Sequence, residues 1–257
     1  MRRVAIAALV GVGVWLTALV VIGVVVGRAQ PAKIATRLGE SLQGSASIAD
    51  VDLALVRGEL AIEGLAVHRD DAVGHLALTV PDVRCELPPL GGALFDRGCR
   101  ELAVRGVKLE ISSLALFHLH HAKHPPVHAD HITIDAATLE VSPSAILPEL
   151  GKVTVRVDRA EAAATTLRTP LSWVCAMTFL DATIELPAGI SLHLTYANGQ
   201  LGAAGSLFGA SPVVVPVDLP QAADDPRDEI HNLVAFGERV AEQLVEKRAA
   251  DWLGAHL

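Results

Sequence analysis

Aromatic residues make up 4% of this 257-residue chain, with one Tyr, three Trp and five Phe. Platforms on which bases or sugar rings stack are therefore scarce, and aliphatic ligands suit the composition better. Basic runs are missing too: Lys plus Arg number 21 against 29 Asp plus Glu, the net charge is −8, and no cationic block exists beyond Arg2-Arg3. A nucleic-acid partner is excluded on that ground. The chain has no G-x-S-x-G, H-E-x-x-H, P-loop or dinucleotide fingerprint, and its acids are scattered rather than paired. Neither enzymatic activity nor a cofactor is expected.

What the chain does have is aliphatic residues, which bring its apolar fraction to 51%. Val4 to Gly27 is 24 residues without a charge, a helix of about 36 Å and long enough to cross a bilayer core with some tilt. It is expected to be a single membrane span and not a cleaved signal, whose apolar region would be shorter. Arg2 and Arg3 before the span place the N-terminus in the cytoplasm and the bulk of the chain outside it. The expected organisation is an anchor at 1–28, an amphipathic neck at 29–44 carrying Ile34, Leu38 and Leu42 at i, i+4 and i+8, a β domain at 45–222 and a tail helix at 223–257.

Through the β domain, apolar residues recur at period two. The inward set is Ile48, Val51, Leu53, Leu55, Leu60, Ile62, Leu65, Val67, Leu76, Leu78, Val80, Val83, Val104, Val107, Leu109, Ile132, Ile134, Val153 and Val155. The alternation slips by one residue at "IADV", "IEGL", "VPDV" and "VRGV", starting at Ile48, Ile62, Val80 and Val104. It slips more weakly at "IDAA", "VDRA" and "FLDA", starting at Ile134, Val157 and Phe179. A slip turns the rest of a strand inside out unless an extra residue is absorbed as a β-bulge. Bulges at similar depth curl a sheet. The expected fold is mainly β: about nine strands in a long, bent antiparallel meander curled into an apolar groove, flanked by the transmembrane helix and an amphipathic C-terminal helix. An ordinary curved sandwich with covered apolar faces is the alternative.

In the tail, Asp225 is a candidate N-cap before Pro226, and Ile230, Leu233, Val234, Val240, Leu244, Val245, Trp252 and Leu253 form one apolar stripe. The stripe packs on the sheet or plugs its groove. Cys85 and Cys99 bracket a loop holding Pro88-Pro89 and Gly91-Gly92; they either form a disulfide across a hairpin or remain two small buried thiols. Cys175 lies in apolar "LSWVCAMTF" and reads as a buried thiol. Six of the eleven histidines, His118, His120, His121, His124, His128 and His131, crowd around Pro125-Pro126. Such density suits a transition metal, but a proline-broken loop lacks the rigidity of a metal site, so a solvated loop and no bound metal is expected.

The single span, the short neck, then "SIADVDLALVRGELAIEGLAV", "LTVPDVRCELPPLGGALFDRGCRELAVRGVKLEIS" and "HITIDAATLEV" resemble the AsmA-like superfamily of bacterial envelope proteins over roughly Met1 to Val141. The resemblance implies an inner-membrane protein, anchored by residues 4–27, with its bulk in the periplasm. It also implies an apolar β-groove that binds or helps transfer the acyl chains of membrane phospholipid, with other envelope proteins as further partners. The rival reading is a non-transporting envelope scaffold, its groove sealed by the C-terminal helix.

Overall fold

Period-two alternation becomes a single sheet in the computed structural model, which describes residues 31–33, 35–36, 38–40, 44–72, 74–89, 98–112, 127–143, 151–167, 172–223 and 226–256. The span expected at Val4 to Gly27 lies outside these residues, as do the neck's Ile34 and Leu42 and the capping Asp225. Among the described residues no helix is long and apolar enough to cross a membrane.

Thirteen strands follow one another: β1 (Ser45–Ser47), β2 (Asp50–Ala54), β3 (Glu59–Asp71), β4 (Gly74–Glu86), β5 (Cys99–Arg105), β6 (Lys108–Ser112), β7 (Val127–Ser142), β8 (Val153–Ala162), β9 (Thr165–Leu167), β10 (Met177–Leu186), β11 (Ile190–Ala197), β12 (Gln200–Gly205) and β13 (Gly209–Pro216). Their order across the sheet is β1-β3-β4-β5-β7-β8-β10-β11-β12-β13, with β2 on β3, β6 between β4 and β7, and β9 on β7. Two of the strands beyond the expected nine arise where long strands are interrupted: β1 and β2 share one register on β3, and β5 and β6 share one register on β4. The sheet also departs from a pure antiparallel meander. β5 and β6 run parallel to β7, whose Ala129 pairs with Cys99 at the start of β5 and whose Ser142 pairs with Ser112 at the end of β6.

The expected slips fall on one line. Ala49, Gly64, Pro81, Gly106, Ala136 and Asp158 occupy the same rung of neighbouring strands, and the pairing skips that rung in each while continuing in register on either side. Inward residues flank it three apart, as Ile62 and Leu65, Val80 and Val83, Val104 and Val107, Ile134 and Ala137, Val157 and Ala160. A left-handed backbone residue turns the chain over and resets the pleat, and Gly64 (φ 63°), Gly106 (φ 70°) and Ala136 (φ 56°) do so. This corrects the expectation of β-bulges: no strand from β3 to β8 gains a residue over its neighbour here, because every partner slips at the same level. The one true insertion at this rung separates β8 from β10, where Asp181 and Ala182 are consecutive opposite Arg159 and Val157, so that Asp158 is extra. β10 itself does not slip at "FLDA"; Leu180, Ala182 and Ile184 keep strict alternation.

The tail is one helix, α1 (Pro226–His256). Its buried contacts come from Val240 and Leu244, aided by half-buried Leu233 and by Phe236, which the expected stripe omitted. Val234, Val245, Trp252 and Leu253 are exposed, and the side chain of Ile230 is outside the described set. The eight-residue stripe is thus narrower than expected, since α1 meets the sheet chiefly at β13 and the stripe's residues beyond Leu244 are exposed.

Backbone strain at the skipped rung sets an expected outcome. Ala136 bears a left-handed conformation that costs an L-residue about 1 kcal/mol, so Ala136→Gly should raise the unfolding free energy by roughly that amount. Gly64→Val should lower it by more than about 2 kcal/mol, adding strain to a Cβ that would sit 2.7 Å from the Ala49 Cβ. Denaturant unfolding of both variants checks the pair.

Candidate functional site

Cross-strand pairing joins the inward residues into apolar rows, one of which crosses the whole sheet. On one side of the skipped rung runs Val51, Ile62, Val83, Val104, Ile134, Ala160, Leu180, Tyr196, Leu201 and Val215, each opposite the next. Beyond it lies Leu53, Leu60, Cys85, Leu102, Ile132, Ala162 and Met177. On the other side, Ala46, Val67, Leu78, Leu109, Leu139, Val155, Ile184 and Leu192 form a third row. Ten strand positions at about 4.8 Å make a face roughly 43 Å across.

The opposite face is charged. Directly beside the skipped rung, Asp50, Glu63, Asp82, Arg105, Asp135, Arg159 and Asp181 form a cross-strand row of their own. Arg105 Nε lies 3.8 Å from Asp135 Oδ2, Arg156 Nη1 lies 2.8 Å from Glu185 Oε1, and Lys152 pairs with Glu140. These pairs are partly exposed, so each adds little stability; their effect is to keep this face wet.

Three covers rest on the apolar face. At one end Val240 and Leu244 of α1 join Tyr196, Leu201, Ala203, Phe208, Val213 and Val215. Near the neck, Leu38 packs against Val67, Leu76 and Ile111. A 3-10 turn at Ser172–Ala176 brings Trp173 and Ala176 onto Cys85, Cys99, Ala129, Ile132 and Ala162. Cys85 and Cys99 are joined there as a disulfide, with Cα atoms 5.4 Å apart, while Cys175 is half-buried and outside that bridge.

Of the nineteen inward residues named from the sequence, Val51, Leu55, Val67, Leu76, Val80 and Ile132 are buried and the others half-buried; none is exposed. Leu65, Val67, Leu76, Leu78 and Leu109 belong to the neck-end cluster, and Leu60, Ile132 and Ile134 to the disulfide cluster. Ile62, Val83, Val104 and Val107 flank the skipped rung, and they and Val155, one row farther out, are half-buried outside all three clusters. Sequence reading missed the continuation of the face through Leu139, Val157, Leu180 and Ile184, although "TFLDATIEL" carries the alternation that would have found it. It also missed Arg69, an inward cation only 3% exposed, whose Nε lies 3.8 Å from Asp71 Oδ2. Of the clustered histidines, His118, His120, His121 and His124 lie outside the described residues. His128 is exposed on β7, its ring nitrogens 3.2 Å from Asp130 Oδ1 and 3.4 Å from Thr166 Oγ1.

No protein-family model and no curated protein matches this chain.

The uneven cover has a measurable consequence. Val80 is 6% exposed, so Val80→Asp buries an unpaired carboxylate and should cost about 3 kcal/mol or more. Ile62, half-buried on the same face, should tolerate Asp at a cost of about 1 kcal/mol, because water reaches the carboxylate. Thermal melts of the two variants distinguish a partly open face from a sealed one.

Proposed function

We propose that this chain is a non-catalytic, AsmA-like envelope protein that holds phospholipid acyl chains on the apolar face of its sheet. The observation carrying the proposal is the strip of Ile62, Val83, Val104, Val107 and Val155, aliphatic, half-buried and outside the clusters made by α1, the neck and the 3-10 turn. An aliphatic strip without a ring or charge offers acyl chains area and no directional bonds. Transfer of such area from water is favourable by about 25 cal/mol per Å². Continuity of the rows over many strands supports a ligand that is long and slides, since most of their members are aliphatic.

The reading places the anchor at residues 4–27 in the bacterial inner membrane and the sheet in the periplasm, where a Cys85–Cys99 bridge is chemically at home. The neck would then set the β1–β4 end of the sheet nearest the bilayer. Packing of α1 on β13 favours a role for that helix as an end cover, rather than as the lid that a closed scaffold requires.

Full-length chain extracted in mild detergent, purified and examined by lipid mass spectrometry should carry phospholipid at a fixed molar ratio. Ile62→Asp should remain folded and lose most of that load. A lipid-free native chain, or an Ile62→Asp chain that keeps its full load, contradicts the proposal.

A further inference from the structure

The geometry points to a divalent transition-metal site on the charged face of the β3–β4 hairpin, built from His68, Asp70 and His75. Alternation along β3 sends Val67 and Arg69 to the apolar side and His68 and Asp70 to the other. Asp70 lies directly opposite His75, and His68 opposite Ala77, so the two histidines are diagonal neighbours. Side chains at such positions face one another on a sheet, and the imidazoles meet edge to face with centroids 5.4 Å apart. One ligand atom from each of the three residues lies within 4.8 Å of the others. Tetrahedral zinc at about 2.05 Å needs ligand atoms about 3.4 Å apart, a closure that side-chain rotation supplies without moving the backbone.

The scaffold is rigid where it matters. The His68 carbonyl accepts a hydrogen bond from Ser45 Oγ at 3.2 Å, and the His75 amide donates to Ser112 Oγ at 3.2 Å. Each histidine backbone is thus tied to a strand outside the hairpin, β1 on one side and β6 on the other. Two imidazoles and one carboxylate favour zinc, nickel or copper over calcium or magnesium, which take oxygen donors. Three protein ligands on an exposed face leave a coordination position for water or an external anion. None of these residues belongs to the histidine-rich stretch around Pro125-Pro126, and the site is independent of the acyl-chain face on the other side of the sheet.

The test uses zinc itself, titrated into full-length chain stripped with chelator, in detergent. To remove competition from the histidine-rich stretch, His118, His120, His121, His124, His128 and His131 are replaced by Asn in the starting protein. That protein should bind one zinc per chain, and His75→Ala or His68→Ala added to it should weaken binding at least about tenfold. In the native chain each single variant should lower the zinc bound at saturation by one per chain, which keeps the test decisive if the multiple variant fails to fold. A folded starting protein that binds no zinc, or His68→Ala and His75→Ala chains that bind as much as their parents, overturns the inference.

Discussion

A rung at which regular strand pairing lapses in step at six neighbouring positions governs this molecule. At Ala49, Gly64, Pro81, Gly106, Ala136 and Asp158 the pairing is skipped in step, and the pleat resets so that inward residues continue inward. Were one strand to slip alone, its remaining side chains would exchange faces with those of its neighbours. Because the strands slip together, aliphatic rows persist on both sides of the line, and acidic and basic side chains persist on the opposite face. Pro81 has no amide hydrogen to donate at this rung, the Ala49 and Gly106 amides donate instead to the carbonyls of Glu63 and Asp135, and the two glycines adopt positive φ without a Cβ.

That constraint makes the function and the fold one question. A sheet with a continuous aliphatic face must cover it with protein, with another copy or with lipid. Here α1 covers the β13 end, Leu38 the neck end and Trp173 the disulfide end. Ile62, Val83, Val104 and Val107, beside the skipped rung, lie in none of those clusters. The acyl-chain proposal follows from that distribution, since patches of this kind mark interaction sites.

Much of this was legible in the residues. Apolar pairs three apart, such as Ile62 and Leu65 or Val80 and Val83, are the resets themselves, and all nineteen inward residues are at least half-buried. Their alignment across strands was not legible, because a slip in one strand and its answer in the next are indistinguishable from separate bulges until register is known. The parallel pairing of β5 and β6 with β7 was hidden for a similar reason: alternation reports which face a residue takes, not the direction of the neighbour. The stripe in α1 was read too wide, since periodicity locates apolar residues but not the end of the surface they meet; Trp252 and Leu253 lie past it. His68, Asp70 and His75 went unread because their meeting depends on the Asp70–His75 register.

Photo-crosslinking in intact membranes tests the central claim most directly, with a benzophenone side chain placed in turn at adjacent inward and outward positions. Val83 and Val155 are half-buried on the apolar face, while Arg84 and Arg156 have side chains 62% and 56% exposed. Irradiation should attach phospholipid to the probe at residues 83 and 155 and leave the probe at residues 84 and 156 free of it. Equal lipid attachment at all four, or lipid at the two arginine positions alone, would contradict the account.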